Sequence, residues 1–218
     1  RLGVLLTDDD LMGESFYQQL MDDAFARLAA VGLVEESEGA QVVFPPGFKN
    51  RDGDPLPLML RSSAGAYMYA TSDVACVLDR VERLDADLLL YVVGAPQALH
   101  LQMVFEVCAM AGWLAPPTEA VHVPFGSVLG SDKKMLRSRA GDAVKLSDLL
   151  DEAVERATAA VGEKNPELDP AAATAVAQQV GIGALKYADL SNDRVKDYIF
   201  DWDRMLAFEG NTAPYLQY

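Results

Sequence analysis

Histidine and cysteine are scarce in this chain, with two of each in 218 residues. No CxxC occurs, and His100 and His122 lack the spacing of a zinc-ligand set, so the sequence offers no metal site. Cys76 and Cys108 both fall in apolar, helix-like stretches. That is the pattern of buried thiols in a reducing cytoplasm rather than of a disulfide framework. Positive charge is also short: 18 Lys and Arg stand against 33 Asp and Glu, a formal net charge of −15. Such a balance argues against indiscriminate nucleic-acid binding but leaves room for a local basic strip. No apolar run reaches the roughly 18 to 20 residues of a bilayer span. The opening RLGVLLTDDDLMGES is broken by acids too early for a secretory signal. An initiator Met is missing too, as expected of a piece of a longer protein.

What is present suits a globular protein: half the residues are hydrophobic and 23% are charged. The length allows one sizeable domain, or one with an appendage. Residues 14–31 show helical spacing of apolar positions, closed by Gly32. Residues 40–44 and 56–60 read as strands, with turn chemistry in KNRDGDP between them. AYMYATSDVACVLDRVERL reads as a strand that turns into a helix at Thr71-Ser72-Asp73. The continuous apolar run 86–94 is expected of a strand covered on both faces. A helix follows Pro96 to about Gly112, then short strands at 119–124 and 125–129. Helices dominate 145–162 and 170–188, with GEKNPELDPAAA (162–173) as their linker. The alternation predicts an α/β sheet with helices on both faces over 1–144, followed by a helical appendage over 145–218.

Against the acidic background, LGSDKKMLRSRAG (129–141) gathers Lys133, Lys134, Arg137 and Arg139 into seven residues. Glycines at 126, 130 and 141 allow backbone N–H groups close to an anion, and the cations would neutralise phosphate charge. Neither GxxxxGK[ST] nor GxGxxG is present, so this is no P-loop and no dinucleotide fingerprint. A solvated basic turn is the plain alternative. Gln97 follows the 86–94 strand, and Tyr69 and Asp73 bracket the earlier strand-to-helix turn. In open α/β sheets that edge is where ligands sit. Ser72 or Asp73 as a helix cap, and GAPQ as a mere helix start, are the competing readings. A carboxylate such as Asp73 is a good partner for a guanidinium, because the pair can be bidentate and charge-assisted.

Together these stretches resemble one family. GIGALKYADLSNDRVKDYIFDWDRMLAFEGNTAPYLQY (181–218) is similar, nearly residue for residue, to bacterial arginyl-tRNA synthetases. The similarity extends through VKLSDLLDEAVERA, FGSVLGSDKKMLRSRAG, YMYATSDVACVLDRV and LTDDDLMGES. It implies a class I enzyme with a Rossmann-like catalytic domain, followed over 145–218 by a helical connection. The implied activity is ATP- and Mg²⁺-dependent activation of L-arginine to the adenylate, then transfer to the 3′ acceptor end of tRNA(Arg), by a cytoplasmic monomer away from membranes. Activation in this family typically requires the tRNA. Residue by residue, the resemblance implies that Asp73 pairs the substrate guanidinium while Tyr69 and Gln97 hydrogen-bond the amino acid. Lys134-Met135-Leu136-Arg137-Ser138 takes the place of the KMSKS signature, with Lys134 and Arg137 as its catalytic cations and Ser138 beside them. Phe125, Gly126 and Val128 would line the adenine side.

Two departures stand out. Arg137 replaces the signature's second Lys, keeping the charge in a planar, forked group. The HIGH signature is absent, since no H-x-G-H can be written with His100 and His122 alone. The expectation is therefore a fragment: the latter part of the catalytic domain, without that signature or the anticodon-binding domain, and inactive by itself. The alternative is a non-catalytic truncated paralogue, a binding module that recognises arginine or the tRNA acceptor end. A start codon and a stop codon bounding the segment would favour the latter.

Overall fold

The computed structural model describes residues 1–136, 144–207 and 210–217. The chain divides into two compact units, Leu6–Pro124 and Arg1–Leu5 with Phe125–Tyr218.

The first unit begins with α1 (Glu14–Tyr17), a 3-10 turn and α2 (Met21–Ala30). Gly32 at φ +74° ends this region, a left-handed position that a glycine occupies without penalty. Strands β1 (Glu35–Ser37), β2 (Ala40–Val43) and β3 (Leu58–Arg61) form an antiparallel sheet in the order β1-β2-β3. The loop between β2 and β3 is held by Asn50, whose Oδ1 accepts the amides of Asp52 and Asp54, both at 2.9 Å. Helix α3 (Tyr69–Glu82) follows, then β4 (Leu88–Gly94), a 3-10 turn over Ala95–Gln97, α4 (Ala98–Met110) and β5 (Glu119–Phe125). Strand β5 pairs with β4, and the Glu119 amide donates to the Asp87 carbonyl at 2.8 Å where the two begin.

Helix α3 is the centre of this unit. It packs on α2, α4 and β3. Ala70, Val74, Ala75, Val77 and Leu78 are buried around it with Leu28, Leu60, Leu89, Val104 and Val107. The helix starts two residues before the expected point. A turn over Ser62–Ala66 returns the chain after β3, so the predicted strand shrinks to a single bridge between Arg61 and Tyr67. The Leu60 carbonyl then accepts both the Met68 amide at 2.9 Å and the Thr71 hydroxyl at 2.6 Å. These bonds bend the backbone into α3 at Tyr69, with Met68 extended as its N-cap.

Strand β4 also differs from expectation. Tyr91 and Leu89 are buried, but Leu88, Leu90 and Val92 are 53%, 56% and 62% exposed. The strand is covered on one face, and its pleat alternates accordingly. An apolar run reads the same whether one or both faces find a partner.

In the second unit, β6 (Val128–Leu129) and β7 (Tyr198–Ile199) pair in parallel around α5 (Leu146–Lys164) and α6 (Pro170–Leu190), followed by α7 (Trp202–Met205) and α8 (Ala213–Gln217). Helices α5 and α6 match the predicted spans within a few residues. Asp169 caps α6 through the Ala171 and Ala172 amides, with Pro170 in its first turn. Ala153, Ala157, Ala177 and Ala184 are buried along these two helices. A Cβ on Gly181 would lie 2.6 Å from the Ala153 carbonyl oxygen, so the close approach of α5 and α6 depends on that glycine.

The Thr71 hydroxyl can be tested directly. Thr71→Val keeps the shape but leaves the Leu60 carbonyl short of one buried donor, at a cost of about 1–3 kcal/mol. The expected result is a matching loss of native-state hydrogen-exchange protection along α3. Unchanged protection would show that the bond does not anchor the helix.

Candidate active site

Tyr69 and Asp73 are one turn apart on α3 and so share a face. Tyr69 is 75% exposed, and the Asp73 side chain is 37% exposed. Neither Ser72 nor Asp73 caps the helix. The Ser72 hydroxyl donates to the Tyr69 carbonyl at 2.8 Å, and Asp73 lies beyond the first turn. The Asp73 carboxylate instead meets His100, with Oδ2 at 2.6 Å from Nε2.

His100 stands on α4 one turn after Gln97, which is exposed and forms the helix N-cap without a side-chain capping bond. The packing of α3 on α4 thus joins the Tyr69–Asp73 face to the Gln97–His100 end just past β4. His100 is the residue that the sequence reading passed over. Its only signal there was its place one turn beyond Gln97 at a candidate ligand edge.

The floor below Asp73 is tightly packed. Cys76 follows on α3, and Tyr91 on β4 stacks edge-on with Phe105, ring centroids 4.9 Å apart. The Arg80 guanidinium lies 4.9 Å from the Tyr91 ring centre, a cation–π contact. Burial pushes the Cys76 and Cys108 thiols and the Tyr91 phenol above their ordinary ranges. Both thiols are free and buried.

The basic loop belongs to the second unit. Val128 and Leu129 run opposite Met135 and Leu136: Leu129 bridges Met135, and the Leu136 amide donates to the Val128 carbonyl at 3.0 Å. Gly130–Lys134 closes this small hairpin. The Gly130 amide donates to the Lys134 carbonyl at 2.8 Å, and Asp132 Oδ1 accepts the Lys134 amide at 3.0 Å. Lys133, at φ +58°, and Lys134 are exposed, as is Phe125. Arg137, Ser138 and Arg139 lie outside the described residues.

The hairpin is anchored from far along the chain. Asp197 Oδ1 accepts the Ser127 amide at 2.6 Å, the Gly126 amide donates to the Arg194 carbonyl at 2.9 Å, and the Phe200 amide donates to the Leu129 carbonyl at 2.8 Å. Gly126 makes this possible, because a Cβ there would sit 2.4 Å from the carbonyl carbon of Lys196. The segment NDRVKDYIF is thus the seat of the loop, a role its sequence did not announce.

The first unit thus carries a polar cluster where α3 meets α4, and the second carries a glycine-seated basic hairpin. A family model described as tRNA synthetases class I (R), catalytic domain, matches residues 1–202, and the chain belongs to that family. Its relatives are arginyl enzymes. The arginine–tRNA ligase of Thermobifida fusca (strain YX) is 54% identical over all 218 residues, and that of Serratia proteamaculans (strain 568) is 50% identical. Each match covers 100% of this chain and 38% of the relative, so the chain spans well under half of their length. Among solved structures, Plasmodium falciparum arginyl-tRNA synthetase superposes with a TM-score of 0.80 at 27% identity, covering 99% of this chain and 34% of that one. The Thermus thermophilus arginyl-tRNA synthetase gives 0.76 at 25% identity, covering 91% and 38%. The α/β catalytic-domain assignment rests on both the family match and these superpositions.

The raised thiol values have a measurable consequence. With its folded value above the unfolded one, each thiol favours the native state fully below about pH 8.5, and that contribution is lost as pH climbs higher. Cys76 and Cys108 are therefore expected to resist iodoacetamide at about pH 8.5 and to react promptly in urea. Fast labelling of the folded protein would contradict the packed floor.

Proposed function

We propose that this chain is part of an arginine–tRNA ligase, in which Asp73 binds the guanidinium of L-arginine and the segment 125–138 binds ATP. The observation that carries the reading is the Asp73 carboxylate. It is partly exposed, lies one turn after Tyr69 on α3, and among the described residues only its Oδ2 is engaged, by His100. Tyr69 and Gln97 are the hydrogen-bonding partners of the amino acid. The substrates are L-arginine, ATP and the acceptor end of tRNA(Arg), handled by a cytoplasmic monomer.

The chemistry needs no protein nucleophile. The substrate carboxylate attacks the α-phosphate, pyrophosphate leaves, and the adenylate then passes its arginyl group to the tRNA. The protein's tasks are positioning and charge neutralisation. Lys134 and Arg137 supply cations for the negative charge that develops on the phosphates, and Phe125, Gly126 and Val128 line the adenine. Mg²⁺ enters with the nucleotide, with phosphate oxygens as its ligands. Among the described residues no group of three His, Cys, Asp or Glu is placed to hold a metal ion.

The test is arginine-dependent ATP–pyrophosphate exchange, with and without tRNA, on this chain and on the complete gene product. Exchange by the complete protein but not by the chain alone is the expected result. Silence in both would favour a non-catalytic arginine- or tRNA-binding paralogue. In an active complete protein, Asp73→Asn is expected to weaken arginine use by about 2 to 4 kcal/mol. Arg137→Ala is expected to lower kcat for adenylate formation more than it raises the arginine KM. Unchanged arginine kinetics in the first, or an effect confined to arginine affinity in the second, would refute the corresponding role.

A further inference from the structure

We infer that His100 is a positioning residue for arginine recognition, acting through its hydrogen bond to Asp73; this rests on Asp73 being the guanidinium's partner. The two side chains meet at 2.6 Å, Nε2 to Oδ2, and both are only partly buried. The carboxylate of Asp73 makes no other hydrogen bond or ion pair among the described residues. One oxygen is thus tied down and the other is left for a ligand.

The protonation state decides what the contact does. A neutral imidazole donating from Nε2 fixes the carboxylate rotamer and leaves its full negative charge to attract a guanidinium. An imidazolium would cancel that charge and compete with the substrate. The surroundings do not supply a competing cation at the same oxygen. Arg80, the guanidinium further down α3, is turned onto the Tyr91 ring. Arg83, the next on this helix, is held by the buried Asp79 through bonds of 2.7 and 2.8 Å. No Arg or Lys among the described residues pairs with Asp73, and His100 sets where its free oxygen lies. The placement of the pair favours this role too. Asp73 is anchored on the buried helix α3 and His100 on α4, so the distance between them is fixed by helix packing rather than by a loop.

The prediction separates a positioning role from a structural one. In the complete gene product, assayed by pyrophosphate exchange with tRNA present, His100→Ala is expected to raise the arginine KM about tenfold, the weight of a hydrogen bond to a charged group. The ATP KM should stay within about twofold. His100→Gln, whose Nε2 donates from a similar reach without charge, should recover most of the loss. His100→Lys, which sets a permanent cation beside Asp73, should be worse for arginine than His100→Ala. In an Asp73→Asn background, His100→Ala should add little further, since the two act through one carboxylate.

Equal rises in both KM values would mark His100 as structural and overturn the inference. So would a Lys variant that performs as well as Gln. If Asp73→Asn alone leaves the arginine KM unchanged, the guanidinium reading itself falls, a result distinct from failure of the His100 series.

Discussion

One backbone oxygen organises the first unit of this structure. The Leu60 carbonyl, at the end of a buried strand, takes the Met68 amide and the Thr71 hydroxyl together. Thr71 is fully buried, so its hydroxyl has no water to fall back on, and leaving either partner unmatched would cost far more than the bond contributes. The pair of bonds fixes where β3 stops and α3 starts. The α3 residues of the candidate site are phased from that point. Tyr69 opens the helix, and Asp73 follows one turn later. Moving the start of the helix by one residue would rotate Asp73 by roughly 100° and carry it away from α4.

The same economy governs the basic hairpin. Lys133 and Lys134 are exposed, and flexible side chains can adapt, but the backbone beneath them is tightly specified. Gly126 lies so close to the 196–197 backbone that no side chain fits, and the Asp197 carboxylate accepts the next amide. The electrostatic task proposed for this loop would gain from such a seat, because a charge held in place needs no reorganisation when the transition state forms.

Legibility in the sequence followed the range of the interactions. Helices α5 and α6 could be read from period and punctuation, since Asp169-Pro170 and the apolar spacing are local signals. Tyr69, Asp73 and Gln97 were placed at a ligand edge by strand–helix alternation, and the family resemblance assigned their roles. The Asp73–His100 contact spans 27 residues and the Ser127–Asp197 contact spans 70. No periodicity reaches that far, so both were invisible until the helices and strands were packed. The exposed face of β4 was illegible for a different reason. Leu88, Leu90 and Val92 have the hydrophobicity of covered residues, and that property does not record whether a partner is in place.

Charge distribution ties these points together. A chain with a net charge of −15 has many carboxylates, and most of those in ion pairs are surface partners of Arg or Lys, worth little each. Asp73 differs in being paired with a histidine. An anion with one oxygen fixed by a histidine, on a rigid helix, keeps its attraction for a cationic ligand through the other. A surface salt bridge at the same place would have spent it. The choice of imidazole over lysine or arginine as Asp73's neighbour is therefore what turns an ordinary helix carboxylate into a candidate recognition group for arginine.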